Sequence, residues 1–284
     1  LGVLERAAKS ARVAPPSKTR VRAVTTLRAD EVTPGKPNDA SGHAQLAYLT
    51  AAVDAALAGE VSALVTAPIS KEWIARAGFA FPGHTEYLAA RAGVSEFAMM
   101  LAGPQLRVTV ATTHVPLKDV PRLLTVEGIA STIWLTAEGL ARRFGIATPR
   151  VAVAGLNPHA SEAGRFGDEE ARLVTPAIEK ARARLATAGL GATVEGPLVP
   201  DSVFRQAAGG AYDAVVALYH DQGLIPLKLL HFDDGVNLTL GLPFVRTSPD
   251  HGTAYDIAGT GRARPQSFLA AFDLAARTSN QRKR

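Results

Sequence analysis

The stretch from 213 to 261, DAVVALYHDQGLIPLKLLHFDDGVNLTLGLPFVRTSPDHGTAYDIAGTG, constrains the chain most. It opens on a continuous apolar run, 214–218, which reads as a strand buried on both faces. The run stops at Tyr219-His220-Asp221, and Gly223 breaks the pattern. Titratable side chains at the carboxyl end of a buried strand stand where open α/β sheets place their ligands. Lys228 follows about two helical turns on, so it can point back to the same mouth. A second apolar run, 236–242, carries Asn237, and Arg246 follows the Leu242-Pro243 break. Residues 248–253 read as a polar turn. A hydrophobic core alone does not call for His, Asp, Lys, Asn, Arg and His in that order around two buried strands. The alternative is a core edged by solvated charges.

The rest of the chain alternates strand and helix signals. Residues 1–12 predict a short amphipathic helix and 21–27 a strand. A loop dense in turn formers, Pro34-Gly35-Lys36-Pro37-Asn38-Asp39, leads to a helix from about Ser41. Leu46, Leu49, Val53 and Leu57 share one face of it, and Gly59 ends it. Residues 62–67 predict a buried strand closed by Pro68, and 70–76 a helix. A loop then presents His84 and Thr85 ahead of another helix. Strands at 97–101 and 106–112 flank Gly103-Pro104, a long helix covers 125–144, and a strand at 150–156 ends in Asn157-Pro158-His159. Asp168 reads as the N-cap of a helix with Ala171, Val174, Ile178, Ala181 and Leu185 on one stripe. Residues 265–278 form the last predicted helix. This alternation argues for an α/β fold, its parallel or mixed sheets covered by helices on both faces.

Composition removes several classes of function. The 284 residues suffice for one large or two medium domains. The net charge of +5 is small and partly confined to a basic tail. Without an aromatic-interleaved basic face it does not indicate nucleic acid, though it suits an anionic small molecule. The absence of cysteine excludes disulfides, thiolate nucleophiles and thiolate-zinc sites. No apolar run approaches the roughly 18 residues that span a bilayer, so no membrane role is expected. The first residues, charged throughout, do not read as a signal peptide, which implies a cytoplasmic protein. There is no initiator Met, so the natural start is expected upstream.

His43 and His231 read as structural. His84, His114, His159, His220 and His251 sit at breaks, and three of these close separate apolar strands, as ATTH, AGLNPH and ALYH. If those strands are parallel neighbours, their carboxyl ends share a rim. Three imidazoles there would hold a divalent ion with positions open for substrate and water. The alternative is three satisfied turn residues, since their spacing matches no compact zinc motif. Lys228 and Arg246, with Asn237 and the His84-Thr85 loop, suit a phosphate or carboxylate: Arg offers a bidentate fork and Lys a point charge. Two surface cations is the plainer reading. A dinucleotide fingerprint is absent; in Gly259-Thr260-Gly261-Arg262-Ala263-Arg264 an Arg stands where the third Gly belongs. The residues themselves therefore point to a divalent metal beside an anion site in an α/β cleft.

Long segments then carry a resemblance: TAPISKEWIARAGFAFPGHTEYLA, ATTHVPL, GLNPHASEAG, LYHDQGLIPLK and GVNLTLGLPFVRTSPDHGTA. With the lengths between them, they make the chain similar, essentially end to end, to the 4-hydroxythreonine-4-phosphate dehydrogenase family of pyridoxal phosphate biosynthesis. The resemblance implies an isocitrate/isopropylmalate-dehydrogenase-like fold of two α/β/α domains, 1–80 with 260–284 and 81–259, with the active site between them. It implies a homodimer whose shared site binds one divalent metal (Zn, Mg or Co) through His114, His159 and His220. His84, Thr85, Lys228, Asn237 and Arg246 fall on the family's substrate-binding positions. The implied reaction is NAD- or NADP-linked oxidation of 4-phosphooxy-L-threonine at C3, followed by decarboxylation to 3-amino-2-oxopropyl phosphate. Asp221 is a candidate base, or else it orients His220; His251 is a second candidate.

One departure stands out. The family's opening strand and its T-x-G-[DE]-P-x-G-I-G-P-E turn have no counterpart, about forty to fifty residues by ordinary element lengths. Their loss would expose a sheet edge. Three rivals follow: a paralogue oxidising 4-phospho-D-threonate or 4-phospho-D-erythronate, a metal-dependent hydrolase, and a non-catalytic anion-binding chain.

Overall fold

The computed structural model describes residues 2–17 and 20–280. Helix α1 (Gly2–Ala11) is followed by a segment without strand structure. The strand expected over 21–27 does not form. Among the described residues it finds no partner strand; it lies at the surface, tied by side chains such as Arg22 to Glu60 and Thr25 to Tyr48. A strand without a ladder leaves its backbone groups to water.

Helix α2 (Asp39–Leu57) starts two residues before Ser41. Asn38 caps it by accepting from Ser41 N, and Ser41 Oγ accepts from Asn38 N in return, each at 2.9 Å. Strand β1 (Ala63–Val65), α3 (Lys71–Arg76) and α4 (His84–Ala92) follow. The hairpin β2 (Ala98–Ala102) and β3 (Arg107–Val110) turns through Gly103-Pro104, as the sequence suggests. A short helix α5 (Val120–Leu123) precedes α6 (Val126–Phe144), which Thr125 caps. Strand β4 (Arg150–Ala154) comes next.

Residues Glu170–Val174 form a π-helical turn leading into α7 (Thr175–Thr187). Asp168 does not cap this helix with its side chain; it faces Arg172 at 3.6 Å instead. Then come β5 (Thr193–Leu198), α8 (Pro200–Ala208), β6 (Ala214–Ala217), α9 (His220–Leu230), β7 (Val236–Leu240), β8 (Val245–Pro249) and α10 (Gln266–Asn280). Ser248 and Pro249 thus belong to a strand, and the polar turn begins only at Asp250.

All eight strands form one mixed sheet in the order β1-β8-β7-β2-β3-β6-β4-β5. Strands β3, β6, β4 and β5 run parallel, whereas β7 and β2 are antiparallel to their neighbours. The fold is therefore mixed α/β, as expected. Helices α6 and α7 bury Ile129, Ile133, Leu140, Ile178 and Leu185 on one face, against Val151, Val153, Val216 and Leu238; α10 covers the β1 and β8 end of that face. The opposite face is covered unevenly. Helices α8 and α9 lie over β3, β6 and β4, burying Phe204 and Leu227 against Val108, Val215 and Ala152. Helices α2, α3 and α4 build a separate cluster at the β1 end around Val53, Ile74 and Leu88. Between the two groups, over β8, β7 and β2, no helix lies on this face of the sheet among the described residues.

Candidate active site

That gap in the helical layer is a cleft of about 660 Å³. Its floor follows the register. Leu64, Arg246, Thr239, Met99 and Val110 pair in turn across β1, β8, β7, β2 and β3, so their side chains share the cleft face. Asn237 and Ser248, one pair along, join them. Alternation along each strand therefore aims Asn237 and Arg246 into the cleft and buries their neighbours in the core.

Arg246 is 3% exposed. Its partners are neutral. Thr66 Oγ1 accepts from Nε and Nη2 at 3.2 and 2.8 Å, and Thr239 Oγ1 accepts from Nη1 at 3.2 Å. Nη2 also donates to His84 Nδ1 at 3.3 Å. Burial pushes the guanidinium pKa down to about 10, offset in part by attraction to Glu86. Burial, then Arg246, pushes His84 down to about 3, so its imidazole is neutral near pH 7. A guanidinium can only donate, so His84 Nδ1 is the acceptor and Nε2 carries the proton. His84 and Thr85 form the first turn of α4, not a preceding loop. Gly83, at the N-cap, supplies no capping side chain, which leaves the helix's amino end to the cleft it lines. A buried cation whose hydrogen-bond partners are neutral and whose charge Glu86 offsets only in part, beside a helix amino end and a neutral donor, has the chemistry to receive an anion.

Lys228 lines the cleft from α9, paired with Asp250 at 2.9 Å. Asn237 presents a buried Oδ1 that has no hydrogen-bond partner. His251 lines the same cleft.

The strands carrying the three histidines are adjacent and parallel, β3-β6-β4, so their carboxyl ends share one rim. His114 and His220 meet with ring centroids 5.5 Å apart. His220 Nδ1 lies 2.7 Å from Asp221 Oδ1. A carboxylate accepts, so Nδ1 holds the proton and Nε2 is left with a free lone pair. Asp221 itself is largely exposed and lies outside the cleft lining. His159 stands apart from this pair: its Nδ1 is 3.6 Å from Glu162 and its ring meets Phe166 edge-on. It opens a run of left-handed residues, His159–Ala163, with φ between 44 and 66°.

Among the described residues no group of three or more His, Cys, Asp or Glu side chains is placed to hold a metal ion. Among the described residues His114 and His220 thus form a pair without a third ligating side chain beside them. Gly259 and Gly261 do not stand in the strand-to-helix turn of a dinucleotide fingerprint. They lie in a turn after a 3-10 segment, with no helix starting on them.

Residue-by-residue reading of the sequence passed over Thr66, Thr239 and Asp250, which hold Arg246 and Lys228. The signal for Thr239 was present, two residues from Asn237 and so on the same strand face. Thr66, after a three-residue strand, gave no such signal.

Residues 3–275 match the family described as pyridoxal phosphate biosynthetic protein PdxA. A 4-hydroxythreonine-4-phosphate dehydrogenase of Desulfosudis oleivorans is 61% identical over 244 residues, covering 86% of this chain and 71% of the relative. The enzyme of that name from Geobacter metallireducens is 53% identical, over 89% of this chain and 73% of its own. The crystal structure of the Klebsiella pneumoniae enzyme of that name superposes with a TM-score of 0.79 at 46% identity, covering 88% of this chain and 74% of that one. A terephthalate 1,2-cis-dihydrodiol dehydrogenase from Burkholderia xenovorans shares the fold at a TM-score of 0.66 and 34% identity, over 90% of this chain and 79% of that one. A match of this extent, over a chain whose fold places Lys228, Asn237 and Arg246 around one cleft, leads to a single assignment: the chain belongs to the PdxA family of pyridoxal phosphate biosynthetic proteins.

Proposed function

We propose that this protein is an oxidoreductase that oxidises 4-phosphooxy-L-threonine at C3, yielding a β-keto acid that loses carbon dioxide to give 3-amino-2-oxopropyl phosphate. The observation that carries the reading is Arg246, a buried cation held by neutral hydroxyls at the floor of a cleft, together with relatives that bear this enzyme's name. Arg246, the His84 Nε2–H, Thr85 and Lys228 would bind the charged ends of the substrate, fixing C3 relative to the rim. Lys228 would exchange Asp250 for a substrate anion. The unpartnered Asn237 Oδ1 would accept from a hydroxyl or ammonium. Either His251, which lines the cleft, or His220 Nε2, whose ring meets the cleft-lining His114, would take the C3 hydroxyl proton, with Asp221 holding the His220 tautomer. NAD or NADP is the acceptor this reaction class requires.

We further infer a cytoplasmic homodimer. Ile225, Leu229 and Phe232 are 67, 84 and 74% exposed and stand at helical spacing along and just beyond α9, whose first residue is His220. A second copy seated on this stripe would bring donors of its own to the rim, where His114 and His220 await a third. The family's divalent metal, which His114, His159 and His220 would hold, rests on that association.

The test is reduction of NAD and of NADP, followed at the reduced-nicotinamide absorbance, with 4-phosphooxy-L-threonine, 4-phospho-D-threonate and 4-phospho-D-erythronate offered separately. Turnover with the amino acid alone is the expected result. Preference for either sugar acid would reassign the substrate, and phosphate release without nicotinamide would favour a hydrolase.

A further inference from the structure

We propose that Gln222 is a positioning residue, whose side-chain amide sets the gap between the segments that carry His220 and His159. The proposal rests on the reading that these histidines serve the reaction. The sheet ladder stops short of them. Between β3 and β6 the last backbone bond runs from Ala111 N to Ala217 O at 2.8 Å. Between β6 and β4 the register ends at Val216 and Val153. Past that point Gly155 N turns away from β6, to Leu198 O at 2.8 Å. The strand ends would be free to splay there.

Gln222, in the first turn of α9 and 9% exposed, fills the opening. Its Oε1 accepts from Leu218 N at 2.7 Å, and its Nε2 donates to Gly155 O at 2.7 Å. On the other flank Thr112 Oγ1 donates to Leu218 O at 2.8 Å. Beyond Gly155, the buried Glu170 accepts from Asn157 N at 2.7 Å and from Asn157 Nδ2 at 2.9 Å. Each tethered residue lies two positions before a histidine: Thr112 before His114, Leu218 before His220, Asn157 before His159. Side chains thus replace the missing ladder across three strand ends. The central link needs a donor and an acceptor on one rigid group, which an amide provides. A carboxylate would set a second acceptor against Gly155 O, and a thioether would make neither bond.

Gln222→Met and Gln222→Glu test this, against Leu185→Ala, a core truncation in α7 on the opposite face. Hydrogen exchange is measured on 155–163 and on 39–57. Both Gln222 variants should raise exchange of 155–163 by about ten-fold and leave 39–57 unchanged. In steady-state kinetics kcat should fall about ten- to a hundred-fold, while KM, set at the Arg246 end, stays within about two-fold. Leu185→Ala should destabilise the chain without that split. Unchanged exchange at 155–163 overturns the proposal, and so does altered exchange with an intact kcat. If the wild-type protein turns over no substrate, the functional reading has failed, and the exchange result still decides whether Gln222 holds the gap.

Discussion

At the scale of single residues, the cleft is organised by a charge that the fold does not neutralise. Arg246→Met preserves length and removes a buried cation that Glu86 offsets only in part. We expect a thermal midpoint equal to or above the wild type, because replacing a poorly compensated buried charge by an apolar side chain is neutral or stabilising. KM for the phosphorylated substrate should rise about a hundred-fold, the loss of one or two charge-assisted hydrogen bonds. A clearly lower midpoint would mean that Arg246 serves packing. His84 makes a separate prediction. Its folded pKa of about 3 lies below its ordinary 6.5. Within that window the unfolded chain takes the proton and the folded chain does not. Stability therefore falls as pH drops from about 6.5, by at most about 1.4 kcal/mol per pH unit for one group. His84→Gln should flatten that part of the urea-midpoint profile; an unchanged slope would show His84 to be protonatable in place. Both residues could be singled out in the sequence because charged groups at strand breaks are conspicuous. Thr66 could not, since threonine in a strand is equally at home as a β-branched packing residue.

Among the elements, α9 ties the rim to the sheet, and its fit depends on Gly223. A Cβ there would stand 2.4 Å from Val108 Cγ1 and 3.0 Å from Ala217 Cβ. This glycine, which looks like a break in the pattern, lies inside the helix and lets its first turn press on β3 and β6. Gly223→Ala should cost about 1–3 kcal/mol by overpacking. It should also lower kcat more than a core variant of equal instability, because the turn that moves carries His220. Calorimetry beside kinetics checks this, and equal losses of activity would refute it. Elements with clear periodicity, α2, α6, β4 and β6, are legible within a few residues. The segment 21–27 misleads because its β-branched residues, Val21, Val24, Thr25 and Thr26, favour a strand, but among the described residues no neighbouring strand pairs with it. The π turn before α7 has no sequence signature, so Asp168 looks like a cap by residue type alone.

For the molecule as a whole, the prediction concerns association. Leu229→Asp places a charge in the middle of the exposed apolar stripe on α9. It should shift sedimentation from dimer to monomer and reduce turnover, with the circular dichroism spectrum unchanged. A variant that remains dimeric would move the interface elsewhere on the surface. The sequence alone determined the α/β class, the positions of most strands and helices, and the candidates for the site, because hydrophobic periodicity and polar residues at strand ends are local signals. It also carried the family, through long motifs. Only the tertiary structure decided the strand order, with its antiparallel β7 and β2, and the cleft left between two groups of helices. It also decided that Arg246 has only neutral partners, that His114 meets His220 while His159 does not, and that Gln222 bridges β6 and β4. Those are contacts between residues far apart in the chain. Pairing and burial settle them, and no local pattern records which strand lies beside which.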